Sequence, residues 1–442
     1  MLSCYRNKDY KRYFKPTSVA ICLLNHQRET DKYSRIERGE ECKLKLAAMF
    51  IKDSKKLKED FYKNVKKEIY SLRNCYNVKE VQNWSDKDLA RRFLVDGCAL
   101  LQFIVLDVND EWEKFSDDND LVSIEKVDFF LLENQLPCQL LEILIDSFAE
   151  ALSAEITGIN PKELIKKSIT EFINRSFLSL TAQQPHQIQI DYSQPHPPHE
   201  QQQEEEDPLH YLLHLLRRRL MGEKGEKQKR INKDGFGKSL TGDKSKHWPL
   251  IHNVKELKDK GIRFKARERG GAITDIDFKG RCSMTTLMLA PIFLHNTTVP
   301  LLLNLIAYEL CPDFKENCEI TSHLSFLHSL IDDGEDVKEL RDAGVLHNGL
   351  GNDEAAAELL NKIGGILVPN FKVDSELIRG IHEYCNSYKS HFSSVRASVE
   401  AKLTHTYFRR LWNFFVFLGS LADLILTGTT IYYSSQEKRP QH

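Results

Sequence analysis

The chain has 442 residues and near-balanced charge, with 62 Lys and Arg against 64 Asp and Glu. Hydrophobic residues make up 41% and charged residues 29%, which is enough apolar content for a sizeable core and too much for wholesale disorder. Collagen-like, coiled-coil and multi-span membrane compositions are excluded, as is the basic excess of a dedicated nucleic-acid binder.

The charge is unevenly placed. Residues 1–80 carry 20 basic and 11 acidic side chains, residues 107–155 carry 2 and 14, and residues 217–246 carry 11 and 4. Most of this reads as solvated helix faces and loops. The sharper expectation is that the acidic and basic stretches meet, within the fold or with a partner. The ten cysteines are scattered without a Cys-x-x-Cys, so zinc-ribbon and thioredoxin-like readings lose their main signal. Cys98 and Cys138 lie in apolar runs and read as small hydrophobes of a reducing compartment. The opening Met1-Leu-Ser-Cys-Tyr-Arg lacks the ~7–15-residue apolar stretch of a secretory signal, so lumenal delivery has no N-terminal support.

In chain order, Leu44, Ala47, Ala48 and Ile51 recur at helical spacing, and Phe61, Val65, Ile69 and Leu72 repeat the pattern. Ser85-Asp-Lys-Asp predicts an N-cap with acids in the first turn. The apolar run Leu89–Leu106, interrupted by Asp96-Gly97, predicts a buried bundle helix. Residues 121–150 predict two helices parted at Asn134-Gln135-Leu136-Pro137, because proline fits a first turn and breaks an interior. Another helix follows over 161–180. The Pro/Gln/His/Glu-rich stretch 183–207 reads as a low-complexity spacer. Leu209–Leu220 is a Leu-rich helix, and 221–247 is a polar loop.

Beyond it, Ile262-Arg-Phe-Lys and Ile273-Thr-Asp-Ile-Asp-Phe alternate apolar and polar residues, and Leu287–Leu294 is β-like too. Gly270-Gly271 reads as a hairpin turn joining the first two strands. Helices resume over Val299–Leu310, Leu324–Ile331, 353–363 and 374–407.

Leu411–Tyr433 has 15 apolar residues in 23 and one charge, Asp423. Its length matches the ~20 residues of a membrane-spanning helix. The expected anchor consists of Leu411, Trp412, Phe414, Phe415, Phe417, Leu418, Leu421, Leu424, Ile425, Leu426, Tyr432 and Tyr433, with the aromatic ends at the interfaces. A mid-membrane carboxylate at Asp423 weighs against this by about 2.5–3.5 kcal/mol. The expected topology is a single pass inserted after synthesis, with the bulk of the chain in the cytosol.

The search for chemistry yields little. Gly235-Phe-Gly-Lys-Ser lacks the first glycine of a phosphate-binding loop, where Asn232 stands instead. Gly349-Leu-Gly351 lacks the third glycine of a dinucleotide loop, and Asp332-Asp-Gly-Glu-Asp336 reads as a turn before a helix near Val337. His210 and His214 share a helix face, but the intervening glutamate of a zinc protease is absent. Glu133 and Glu309 sit inside apolar runs. Each is either an acid with a raised pKa or a structural acid taking helix-end N–H groups or an arginine.

Several segments in order resemble the plant family known as domain of unknown function 247: Phe14-Lys-Pro-Thr-Ser-Val-Ala-Ile-Cys, Asp96-Gly97-Cys98, Leu132-Glu-Asn-Gln-Leu-Pro137, His210-Tyr-Leu-Leu-His-Leu-Leu-Arg217, Leu257–Lys265, Asn304-Leu-Ile-Ala-Tyr-Glu309, Leu330–Val337 and Leu346-His-Asn-Gly-Leu-Gly351. The first is a reduced version that lacks a Gly-Pro and one histidine of the family pattern. The resemblance covers nearly the whole chain, implies a C-terminal hydrophobic span and carries no catalytic residue. Asp96, Gly97, Glu133, Asn134, Gln135, Pro137, Asn304 and Glu309 are its structural motif positions.

The expected protein is mainly α, a helical body with a small antiparallel β element around 262–294 and a C-terminal single transmembrane helix. Residues 1–180 and 208–410 form the two parts of the body, joined by a linker at 181–207, with the membrane helix at 411–433 and a tail at 434–442. The expected role is a non-enzymatic, membrane-anchored interaction or signalling module. It would meet a bilayer and a protein partner, with no cofactor, metal, nucleic acid or evident small-molecule substrate. The alternatives are an enzyme using Glu133 and Glu309, and a helical scaffold without a membrane role.

Overall fold

Ser85 caps the helix around which the first half of the chain is built. Its hydroxyl accepts from the Asp88 N–H at 3.1 Å, satisfying one of the open donors at a helix start. The helix runs unbroken over Asp86–Asn109, through Asp96-Gly97, and most of it is buried. The computed structural model that defines this fold describes residues 10–23, 35–115, 124–152, 160–181, 212–221, 252–267, 272–281, 284–311, 318–365, 367 and 375–387, with 419–424, 426, 427 and 429 near the C-terminus.

The helices before the central one are α1 (Arg35–Asp53), α2 (Lys58–Lys67), α3 (Ile69–Asn74) and α4 (Val78–Val81). The central helix is α5, followed by α6 (Cys138–Leu152) and α7 (Pro161–Thr181). Helices α1, α2, α6 and α7 pack round α5. Ahead of α6, Lys126–Phe130 forms a short 3-10 helix and 131–137 is irregular, so the expected first helix of the 121–150 block is one 3-10 turn. The Pro137 carbonyl accepts the Leu140 N–H at 3.0 Å as α6 begins.

The second half contains α8 (Leu212–Met221), α9 (Val254–Asp259), α10 (Thr298–Glu309), α11 (Glu319–Ser329), α12 (Gly334–Asp342), α13 (Asp353–Gly364) and α14 (Ser375–Cys385). Helix α10 is apolar nearly all round, and almost every residue in it is buried. It packs against the N-terminal turn Lys11–Phe14, the 3-10 helix Lys126–Phe130 and α11. One continuous cluster of buried apolar residues therefore runs through both halves.

The strands are β1 (Ile262–Ala266), β2 (Ile276–Arg281), β3 (Met284–Leu289), β4 (Ile292–Leu294) and β5 (Leu346–Asn348). The three-stranded sheet has the order β1-β3-β2, with β3 parallel to β1 and antiparallel to β2. The antiparallel hairpin expected from sequence is therefore corrected to a mixed sheet. The strand carrying buried Thr285, Leu287 and Leu289 takes the centre, and β1 and β2, with their charged residues, take the edges. Strands β4 and β5 form a separate parallel pair.

The expected transmembrane helix is not supported. Among the described residues no helix is long and apolar enough to cross a membrane. Within 411–433 the described helical residues are 419–424, 426, 427 and 429. They include the charge Asp423 together with exposed Leu421, Leu424 and Leu426. The other named anchors, Leu411, Trp412, Phe414, Phe415, Phe417, Leu418, Ile425, Tyr432 and Tyr433, lie outside the described residues. The bilayer contact and the single-pass membrane localisation rested on that span and lose their support with it. The spacer and polar loop, residues 182–211 and 222–251, likewise lie outside the described residues.

Two glycines mark close approaches in the first half of the chain. A Cβ on Gly39 of α1 would lie 1.9 Å from the Ser18 carbonyl oxygen, and one on Gly97 of α5 would lie 2.4 Å from Leu144 Cδ1 of α6. The first clash is with backbone and the second with the end of a flexible side chain. Gly39→Ala is therefore expected to cost more than Gly97→Ala, the former at or above the ~1–3 kcal/mol of core overpacking. Urea denaturation of the two variants measures this, and a milder loss for Gly39→Ala contradicts the packing described.

Candidate functional site

Two of the motif residues, Asn134 and Asn304, bond the same N-terminal segment, and Asp96 reaches it through Lys43. Residues 15–22 form no helix or strand, yet 18–22 are buried. Their backbone groups need partners in a place where water is scarce. Asp128, at the 3-10 helix ahead of α6, supplies most of them. Its carboxylate accepts from the N–H groups of Thr17 at 3.0 Å, Ser18 at 2.7 Å and Val19 at 3.0 Å, and from the Ser18 hydroxyl at 2.7 Å. Three successive N–H groups wrapped on one anion form a backbone nest. Burial pushes the Asp128 carboxyl above its ordinary value, and these donors work against that push.

Asn134 continues the pattern. Its Oδ1 accepts from the Ile21 and Cys22 N–H groups at 2.9 and 3.2 Å, and its Nδ2 donates to the carbonyls of Val19 and Asp128 at 3.0 and 2.9 Å. Gln135 donates to the carbonyls of Phe129 and Leu131, and its Oε1 accepts the Leu213 N–H at the open start of α8. Asn304 of α10 accepts the Leu132 N–H at 2.8 Å and donates to the Tyr13 carbonyl at 2.9 Å. Glu133 stands half-buried in the turn between these residues, and Pro137 is buried at the start of α6.

One buried ion cluster meets the segment at Ala20, and a second lies at the end of α10. Lys43 of α1 donates to the Ala20 carbonyl and lies 2.7 Å from the Asp96 carboxylate. Arg92, one turn before Asp96 on α5, reaches Asp96 at 2.8 Å and Glu40 at 3.1 Å. Burial pushes Asp96 above its ordinary value while Lys43 and Arg92 pull it down. Burial alone would raise Glu40 too, but Lys43 and Arg92 outweigh it and hold that carboxyl low. In the second cluster Glu309 of α10 accepts from Arg217 Nε at 2.8 Å, from the Ile320 and Thr321 N–H groups at 3.2 and 2.7 Å, and from the Thr321 hydroxyl at 2.7 Å. The carboxylate thus caps α11, where a negative charge also complements the helix dipole.

Several of these residues were not singled out in the sequence. Asp128 hides in an acidic stretch, and Lys43, Arg92 and Glu40 look like surface charges on amphipathic helices. Each is recognisable only from its distant partner. Conversely, part of the acidic block is paired within the fold: Asp107 lies 2.6 Å from Lys126, Asp146 lies 2.5 Å from Lys162, and Glu150 lies 2.8 Å from Lys56 of the basic block. Of the weaker motifs, Asp333 caps α12, accepting from Glu335 and Asp336 N–H groups. His214 bonds the Tyr308 hydroxyl at 3.0 Å, whereas His210 and the Gly235–Ser239 loop lie outside the described residues. No group of three His, Cys, Asp or Glu that could hold a metal occurs among the described residues.

A helical body whose irregular N-terminal segment is bonded by side chains from both halves is the class of protein this geometry defines. The chain belongs to a family described as plant protein of unknown function, whose model matches residues 3–426. It is 26% identical over 184 residues to a putative UPF0481 protein of Arabidopsis thaliana; the match covers 41% of this chain and 32% of that relative. No solved structure matches.

Two measurements test the assignments. Asp128→Asn replaces an acceptor oxygen by a donor facing N–H groups, so urea denaturation is expected to show a loss of ~1–3 kcal/mol. An unchanged midpoint contradicts the nest. His323 of α11 is buried with neither ring nitrogen hydrogen-bonded among the described residues, and burial pushes its pKa down to about 4 from 6.5. The unfolded chain then takes up the proton first, so stability falls as the pH drops from 6.5 towards 4, by ~3 kcal/mol in all. His323→Leu is expected to remove that part of the acid sensitivity; equal losses in both proteins contradict it.

Proposed function

We propose that the chain is a non-enzymatic helical scaffold that binds an acidic protein surface. The observation that carries this reading is a pair of exposed basic helix faces, one on α1 and one on α2 and α3. On α1, Leu44, Lys45, Ala48 and Lys52 are exposed at helical spacing, and on α2 and α3 Lys63, Lys66, Lys67 and Tyr70 follow the same spacing. Leu44 is 59% and Tyr70 78% exposed, which places two large apolar groups among unburied cations. Lys45, Lys52 and Lys67 make no ion pair among the described residues. Basic side chains interleaved with an aromatic and a leucine suit an acidic partner with an apolar centre, where complementary potentials set encounter rate and register.

The alternative of an enzyme using Glu133 and Glu309 has less behind it. Glu309 already accepts an arginine, two backbone N–H groups and a hydroxyl, so its hydrogen-bonding capacity is committed to the fold.

The scaffold reading is tested by cross-linking in plant cells. The wild-type chain is compared with a variant carrying K52E, K63E, K66E and K67E, whose exposed positions leave the unfolding temperature within a few degrees. The expected result is a protein that cross-links to the wild type and falls at least tenfold with the variant. Identical cross-linked proteins in both, or none with either, overturns the proposal.

A further inference from the structure

Helix α1 presents two unlike faces. Lys43, Leu46, Ala47 and Phe50 are buried where it packs on α5, while Glu37, Glu41, Leu44, Lys45, Ala48 and Lys52 are exposed. With about 3.6 residues per turn, the exposed set forms one stripe roughly 100° wide, opposite the buried side. The stripe is graded along its length. Glu37 and Glu41 make its start acidic, and Leu44 and Ala48 put a large and a small apolar group at its middle. Lys52 makes its end basic, with Lys45 beside the middle. Arg38 and Asp53 are exposed on its flank and reverse the sign locally. Neither Glu41 nor Lys52 has an ion-pair partner among the described residues.

We propose that α1 is the interface of a homodimer, in which a second copy lays its own α1 antiparallel along this stripe. A face that is acidic at one end, apolar in the middle and basic at the other is complementary to itself turned end for end, as a two-fold interface requires. Positions 44 and 48, 41 and 52, and 38 and 53 share nearly one midpoint along the helix. A two-fold axis through that midpoint sets Leu44 against Ala48, Glu41 against Lys52 and Arg38 against Asp53 of the second copy, each pair formed twice. The small Ala48 leaves room for the leucine. One like-charged approach remains, between the two Lys45 side chains near the axis, and each lies one turn from Glu41 on its own helix. A parallel arrangement would set Glu41 on Glu41 and Lys52 on Lys52, and an acidic partner would leave Glu41 unmet. A pair of 19-residue helices is a small interface, at the low end of the ~1,200–2,000 Å² of stable complexes, so the dimer forms as the chain is concentrated.

Sedimentation velocity over a concentration series of the full chain reads the pairing. The wild type is expected to pass from monomer to dimer as it is concentrated. Glu41→Lys and Lys52→Glu each set like charges opposite one another twice, and each alone is expected to weaken the dimer at least tenfold. Both positions are exposed, so neither change disturbs the core. Mixed in equal amounts, the two variants are expected to form a heterodimer about as tight as the wild-type dimer, because each supplies the charge that the other lacks. A wild type that stays monomeric throughout, a dimer indifferent to both reversals, or a mixture that fails to restore pairing overturns the proposal. The pairing covers α1 and leaves Lys63, Lys66, Lys67 and Tyr70 of α2 and α3 open to an acidic partner. Loss of the dimer with cross-linking through those residues intact, or the reverse, shows that this proposal and the scaffold reading fail separately.

Discussion

The Asp128 carboxylate, taking three consecutive N–H groups, is the contact on which the arrangement depends. A buried stretch of chain without regular structure leaves its donors and acceptors unpaired unless side chains reach them, and each unmet group costs about 1–3 kcal/mol. The run from Thr17 to Cys22 solves this with Asp128, Asn134, Lys43 and Arg92. Those four come from three separate elements: the 3-10 helix and turn before α6, α1 and α5. Fixing the segment thus fixes these elements against one another. Asn304 adds α10, joining the second half to the same segment through the Tyr13 carbonyl.

The charges follow the same logic. Burying Asp96 or Glu309 alone would be prohibitive, and pairing offsets the cost without turning it into large net stability. The gain is in uniqueness: Asp96 accepts only where Lys43 and Arg92 converge, and Glu309 only where Arg217 meets the start of α11. Removing one member leaves an uncompensated charge, so these clusters tolerate little change even though none of them is a reactive centre.

What was legible in the sequence was local. The Ser85 cap, the apolar periodicity of α1 and α2 and the alternation in β1 each follow from neighbours in the chain. Partners far apart in sequence were not legible. Leu132-Glu-Asn-Gln-Leu-Pro137 stands out as a motif, yet Asn134 answers to residues 19–22, over a hundred positions earlier. The hairpin expectation assumed that neighbouring strands pair, and β3 inserted itself because it is the more apolar. The membrane expectation counted apolar residues over 411–433, whereas no helix among the described residues is long and apolar enough to cross a membrane, and the described helical residues there include the charge Asp423.

Amide hydrogen exchange tests most directly whether the side-chain-bonded segment is integral to the fold. The amides of Thr17, Ser18, Val19, Ile21 and Cys22 are predicted to exchange as slowly as those of the buried turns of α5, through opening of the whole body. Exchange of these five amides near the unfolded rate, with α5 still protected, would show that the segment is an accessory, and the account would fail.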